Sequence, residues 1–395
     1  MSAAAVVFWA CAGLLAYVFA GYPLLMTALG RAFPRRIRKA PIEPSVSILL
    51  VARDEQERVV RRLANLIRLD YPSDRVEILL GSDGSIDATV RASRPFEYRV
   101  QVFDFPQHRG KAAVLNDLAA RATGDVLVFA DARQAFDATA LRALVAPFAD
   151  PAVGGVSGEL HLEKTEGVGG GMGAYWRYEK AIRAAESAFD STVGATGAIY
   201  AVRRGLYERI PNDTVLDDVL VPMRVVRRGF RVVFEPAAVA LDRPSEDARD
   251  ELRRKVRTIA GNFQLFVREP WMLVPGRNPV WFQTVSHKAL RLLGPVLLLG
   301  TFVTSALLSA HPLYGVALAA HLLVATAALL DATLRGSGRR VPGFSAAFVF
   351  VLLQVATVAG FFRFARGRME GIWEPAAHSR VASSNSTRSS ERSIR

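Results

Sequence analysis

Four acids and one lysine in the middle of the chain are of types and at places that can do chemistry. Asp83 sits in Gly81-Ser82-Asp83-Gly84-Ser85, Asp131 in Ala130-Asp131-Ala132-Arg133, Lys111 in the turn Arg109-Gly110-Lys111, and Asp217 stands beside Asp218. A carboxylate at the end of a strand accepts hydrogen bonds from a base or a ribose, or binds a divalent cation that bridges phosphate oxygens. Taken singly, each Asp also reads as a helix N-cap, and Asp217-Asp218 as the acidic first turn of a helix running to about Arg228. Two strand-end acids with Lys111 nearby favour a nucleotide-diphosphate site. Neither GxGxxG nor GxxxxGK[ST] occurs, so the dinucleotide fingerprint and the P-loop do not apply.

These residues need a frame that gathers them, and the flanking sequence supplies one. Val46–Ala52 is short, apolar and β-branched, as a buried parallel strand is. Asp54–Arg68 has helical periodicity, with Val59, Val60, Leu63, Leu66 and Ile67 on one face. Val76–Leu80, Arg99–Phe103 and Val126–Ala130 are further strands, and Lys111–Arg121 is a helix. Strands alternating with helices predict a doubly wound α/β domain. Its ligands bind outside the carboxyl ends of the strands, which places Ala52–Glu55, Asp83–Ser85 and Asp131–Arg133 around one crevice.

The chain has 395 residues, 51% of them hydrophobic and 22% charged, which excludes a disordered protein. A single cysteine, Cys11, excludes a disulfide framework and a Cys-based zinc site. The net charge is +13, and only six of the 50 basic residues are lysine. Ala3–Leu29 is an almost charge-free run followed by Arg31, Arg35, Arg36, Arg38 and Lys39, the pattern of a membrane span with a cytoplasmic flank. Three later runs, roughly 290–310, 313–334 and 344–362, are each long enough to span. Three late spans put the C-terminus outside, whereas Arg363, Arg366 and Arg368 favour the inside. The sequence therefore predicts a transmembrane helix over 1–30, a basic linker over 31–43 and a cytoplasmic domain over 44–270. An interfacial segment over 271–288, with tryptophan at headgroup depth, a membrane region over 289–363 and a basic, partly disordered tail over 364–395 complete the plan. The arginine clusters flank apolar spans, as orientation signals do, and no nucleic-acid-binding motif is present.

The pattern resembles the glycosyltransferase family 2 enzymes of the GT-A fold. Ser45–Glu55 looks like that family's first strand and its "P-A-Y-N-E" turn. Leu69-Asp70-Tyr71-Pro72 and Ser82–Asp87 match its next landmarks, and Gly110-Lys111-Ala112 with Leu115-Asn116 looks like its "GKA..LN" stretch. Asp131 opens the D-x-D position. Gly194–Tyr200 with Leu216-Asp217-Asp218 resembles the acceptor loop and the "T-E-D" motif, and Arg254–Arg257 stands where membrane members have "Q-x-x-R-W". The likeness covers roughly 44–270 and extends to synthases of poly-N-acetylglucosamine, cellulose and hyaluronan type. It implies that Ala52, Glu55 and Asp83 bind the nucleoside of a nucleotide-sugar donor and that Lys111 lies near the nucleotide. It implies that Asp131 engages a divalent cation (Mg or Mn) and the diphosphate. Asp218, beside Asp217, becomes the general base of an inverting transfer, and Arg254 and Arg257 offset charge on the leaving diphosphate.

Three motifs depart from the family pattern. Arg133 replaces the second acid of D-x-D and either leaves Asp131 alone at the cation or neutralises phosphate itself. Asp217 replaces the Glu of T-E-D. Thr258 replaces the Trp of Q-x-x-R-W and Arg254 its Gln, which favours single transfer, whereas the three late spans favour extension of a long polymer. The expected function is transfer to a polysaccharide or lipid-linked acceptor at the inner membrane, with membrane lipids as surroundings. The alternative is a non-catalytic membrane module that binds a nucleotide or glycan. Tyr175, Trp176, Tyr178 and Phe189 read as core or as an acceptor platform, and His108 as a surface residue beside the phosphate loop.

Overall fold

The computed structural model describes residues 2–162, 170–242, 248–335 and 342–367. Gly167–Gly169, Arg339, Arg340 and the basic tail from Arg368 onward lie outside them.

Strand β1 (Val46–Ala52) is buried along its whole length. Val46, Ile48, Leu50 and Ala52 face Val59, Leu63 and Leu66 of α2 (Gln56–Ile67), while Leu49 and Val51 face Val114, Leu115 and Leu118 of α3 (Lys111–Arg121). Both faces are covered, so the strand carries an unbroken apolar run in place of alternation. Each such side chain contributes about 1.5–3 kcal/mol by leaving water. β1 pairs in parallel with β2 (Val76–Asp83) and β4 (Val126–Asp131), and β2 pairs in parallel with β3 (Val100–Phe105). This half of the sheet follows the expected strand and helix pattern.

Beyond β4 the sheet continues in mixed order, β3-β2-β1-β4-β7-β6-β8-β5. In chain order the added strands are β5 (Ala135–Phe136), β6 (Val153–Leu162), β7 (Ile199–Arg203) and β8 (Arg231–Asp242). β7 runs antiparallel to both β4 and β6. α4 (Ala140–Val145) covers one face of this half. α5 (Gly170–Phe189) precedes β7, and α6 (Asp217–Arg227) follows it.

Among the described residues, four helices are long and apolar enough to cross a membrane: α1 (Ala3–Ala32), α8 (Trp281–Leu307), α9 (Pro312–Leu334) and α10 (Gly343–Ala365). The first half of α1 packs on α8 and its second half on α5; α7 (Ala248–Arg268) packs on α10. Two details differ from the expected plan. α8 begins at Trp281, inside the segment assigned to the interface, because Thr284, Ser286 and His287 are buried against protein and interrupt the apolar run without ending the helix. Trp271 belongs to the domain core, not to a headgroup layer: it is buried, donates its Nε1–H to Glu269 at 2.7 Å and lies under the Arg227 guanidinium.

Candidate active site

The turns after β1 and β2 are fastened to each other. Asp54 adopts a left-handed backbone (φ 52°), which costs a non-glycine residue about 1–3 kcal/mol unless its surroundings hold it there. They do. Its N–H donates to Ser85 Oγ (3.2 Å), and its Oδ1 accepts from the Ile86 N–H (2.9 Å). Glu55 N–H donates to Thr89 Oγ1 (2.8 Å) and Gln56 N–H to Asp87 Oδ2 (3.1 Å). Ala52 ends β1 fully buried. The Glu55 carboxylate is buried beside Arg58, and burial pushes its pKa up despite the opposing pull of Arg58 and Arg133.

Asp83, expected to contact the nucleoside, makes three hydrogen bonds within the chain. Its carboxylate is fully buried and accepts from Arg109 N–H (2.7 Å), Gly110 N–H (3.0 Å) and His108 Nδ1 (2.8 Å). It therefore fastens loop 108–110 and caps the entry to α3, which sets the position of Lys111. The capping role weighed from sequence is present, but for a distant helix. Gly84 completes the junction: it is left-handed (φ 64°), and a Cβ there would come within 2.6 Å of the His108 backbone nitrogen. His108 is thus part of the frame and not a bystander.

Lys111 joins the two halves of the sheet. Its Nζ lies 3.0 Å from Asp131 Oδ1 and 3.3 Å from Asp217 Oδ1. Burial alone would lower its pKa, but Asp131 and Asp217 raise it, so the ammonium stays charged. Asp217 is buried and accepts from Tyr200 Oη (3.1 Å). Tyr200 is set in turn by stacking on Phe129 of β4, with centroids 4.3 Å apart. Asp218 follows at the start of α6. Its backbone carbonyl accepts from Ala195 N–H (2.7 Å), and loop 194–197 lies against its side chain. Burial first, and then the neighbouring Asp217, push its pKa up to about 6, with Lys111 pulling the other way. Such a carboxylate is a stronger base than an ordinary aspartate and is still largely ionised at neutral pH.

A divalent cation fits at Asp131. That side chain is 37% exposed, with Oδ1 on Lys111 and Oδ2 without a hydrogen bond among the described residues. One carboxylate plus substrate phosphates is a usual Mg²⁺ arrangement. No group of three His, Cys, Asp or Glu side chains that could hold a metal occurs among the described residues, so phosphate and water oxygens would complete the shell. Arg133 pairs with the buried Asp242 at the end of β8, which also accepts from Gln134 Nε2 (3.0 Å). Its charge is therefore directed to a protein acid in this structure. Arg254 and Arg257 sit on α7, which packs at Gly261 against Val215 and Leu216, just before the acid pair. Between them Lys255 lies 5.1 Å from the rings of Tyr175 and Trp176. Tyr178 and Phe189 pack with α1.

Sequence reasoning missed Tyr200, whose hydroxyl acts 17 residues from its own position on Asp217. It also missed Arg62, buried with its guanidinium 4.2 Å from the Phe136 centroid and near enough to Asp131 to feel its charge. Burial lowers the Arg62 pKa to about 9. The only sequence signal was a charged residue on the apolar face of α2.

A parallel half-sheet with nucleotide-type turns, joined to a mixed half that carries an acid pair, defines a GT-A-like α/β fold. Residues 47–210 match the family model described as glycosyl transferase family 2. The chain is 25% identical over 243 residues to a Bacillus subtilis protein described as a probable glycosyltransferase, covering 55% of each. It is 23% identical over 236 residues to the poly-β-1,6-N-acetyl-D-glucosamine synthase of Staphylococcus aureus, covering 57% of this chain and 56% of that protein. The chain thus spans about half the length of the curated relatives it matches. Among solved structures it resembles a mannosyltransferase from Pyrobaculum calidifontis, determined with GDP-mannose and Mn²⁺. The TM-score is 0.70 at 24% identity, over 91% of this chain and 99% of that one.

Proposed function

We propose that this protein is an inverting glycosyltransferase of the inner membrane, with its catalytic domain on the cytoplasmic side, that moves a sugar from a nucleotide-sugar donor to a polysaccharide or lipid-linked acceptor. The observation that carries this reading is the Asp131–Lys111–Asp217 bridge with Asp218 adjacent to it. Asp131 and Lys111 stand where a diphosphate would sit, beside the interlocked turns at 52–55 and 83–89. Asp218 follows Asp217 in the first turn of α6, with loop 194–197 against its side chain. An inverting transfer needs one base to take the acceptor hydroxyl's proton on the face opposite the leaving group, and Asp218 is the candidate for it.

Asp131 would hold the divalent cation, which supplies positive charge to the diphosphate as it departs. The chain's own residues do the rest. Lys111 keeps Asp131 and Asp217 together and adds a fixed cation next to the leaving group. Tyr200 and Lys111 hold the Asp217 side chain in place, and burial together with Asp217 makes Asp218 a stronger base than an ordinary aspartate. The relatives named above are a polysaccharide synthase and a probable glycosyltransferase, and the structural neighbour holds GDP-mannose; these support a nucleotide sugar as donor class.

The test is a panel of nucleotide sugars incubated with the purified full chain, with released nucleotide measured by mass spectrometry. At least one donor is expected to release nucleotide in a cation-dependent way, and Asp218→Asn should abolish transfer while keeping donor binding. Nucleotide binding without turnover of any donor would favour the non-catalytic module.

A further inference from the structure

The face of the site toward the apolar helices contains two cations, Lys288 and Arg183, that make no ion pair among the described residues. α8 opens with a π-helical turn, Thr284–Ala289, and α1 contains another, Tyr17–Gly21. Such bulges turn side chains out of the ordinary helical register and concentrate at functional sites. Here the two meet: Tyr17 Oη is 2.7 Å from Ser286 Oγ. Around them Tyr22 Oη donates to Glu186 (2.6 Å). His287 contacts Glu186 through Nδ1 (2.7 Å) and Glu179 through Nε2 (3.2 Å), and Arg291 pairs with Glu179. Both buried glutamates are thereby engaged.

Lys288 and Arg183 remain. Lys288 is half-buried and makes no hydrogen bond or ion pair among the described residues, although it lies in the electrostatic field of Arg183, Glu179, Arg291 and Glu186. Arg183 donates only to the neutral hydroxyl of Thr196. Thr196 belongs to loop 194–197, whose Ala195 N–H binds the Asp218 carbonyl, and Lys288 is close enough to Asp218 to act on its charge. An ionisable side chain near the end of an apolar helix, turned toward protein and without a partner, marks a binding function by default. An ammonium and a guanidinium together suit phosphate, the guanidinium through its planar fork.

We infer that Lys288 and Arg183 hold the phosphate of a lipid-linked acceptor on the membrane side of Asp218. This names the acceptor class for the site under Proposed function and rests on that reading. The start of α8 is where a headgroup arrives from a bilayer, and loop 194–197 links that point to the base.

The test uses the purified full chain in neutral detergent and compares binding of a polyprenyl phosphate, the uncharged polyprenol of equal length, and glycerol 3-phosphate. Nucleotide-sugar binding and thermal midpoint are measured on the same samples. The phosphate lipid is expected to bind about tenfold or more tightly than the alcohol. Lys288→Gln and Arg183→Gln should each remove most of that preference, and Lys288→Arg should keep it, all with the thermal midpoint retained. Equal affinity for phosphate lipid and alcohol, or a preference intact in both Gln variants, would overturn the inference. Glycerol 3-phosphate binding as tightly as the lipid would overturn the lipid source. Absence of nucleotide-sugar binding by the wild type would instead sink the transferase reading, which keeps the two failures apart.

Discussion

Asp218→Asn separates catalysis from stability at one atom. Asp218 is buried beside Asp217, and its pKa stands at about 6, against an ordinary aspartate value near 4. A difference of about two, at about 1.4 kcal/mol each, is about 3 kcal/mol. The sign follows from proton counting. Between those two values the folded protein holds a proton that the unfolded chain has lost, so stability falls as pH rises through the interval, and the cost is complete above about pH 6. Asparagine has the same shape and no charge, so it removes that cost. The pull of Lys111 is already contained in that value, and the gain at pH 7 is about 1–3 kcal/mol. Transfer should fall by about 10²–10⁴, the usual worth of a general base. Wild-type kcat/KM should drop tenfold per pH unit below about 6, where the base is protonated. Denaturant titrations of both proteins at pH 4 and pH 7, with transfer assays across pH 5–8, read all three effects. A variant that is destabilised at pH 7, or one that retains full transfer, refutes the assignment of Asp218 as a buried, ionised base.

Three further substitutions probe the surrounding frame. Lys111→Gln removes the cation between Asp131 and Asp217; the acidic limb of the rate profile should move above pH 6, because Lys111 holds the Asp218 pKa down, and an unmoved limb would deny that link. Asp83→Ala leaves two backbone N–H groups and His108 without their acceptor, and equilibrium unfolding should show a loss of about 2–4 kcal/mol. Gly197→Ala places a Cβ within 2.9 Å of Asp218 Oδ2; kcat should fall by about tenfold or more with donor affinity unchanged, as read by steady-state kinetics beside donor titration.

The parallel half of the fold was legible because its strands carry their burial in composition. Val46–Ala52 has no polar residue but Ser47, and Lys111 opens a helix whose bounds follow from its apolar face. β6 was not legible. Three of its ten residues are glycine, which lowers strand propensity, and they are there because β6 passes close to β8 and β7: a Cβ at position 158 would lie 2.5 Å from the Ala238 carbonyl. β8 was hidden by Pro236 and a run of alanines. In the site, Asp83 could be placed on the rim but its partners could not, since the donors at 109 and 110 are backbone groups that every residue type carries. His287 gave no signal by spacing, because its two glutamates lie 101 and 108 residues away.

The same cluster bears on how the enzyme domain can be handled outside a bilayer. A fragment cut to residues 44–270 keeps Glu179 and Glu186 but loses Tyr22, His287 and Arg291, which are their partners. Two carboxylates would then border a freshly uncovered greasy flank of α5, where α1 had lain. Such a fragment should come out of cells aggregated, and detergent extraction of the intact polypeptide is the practical route to soluble material.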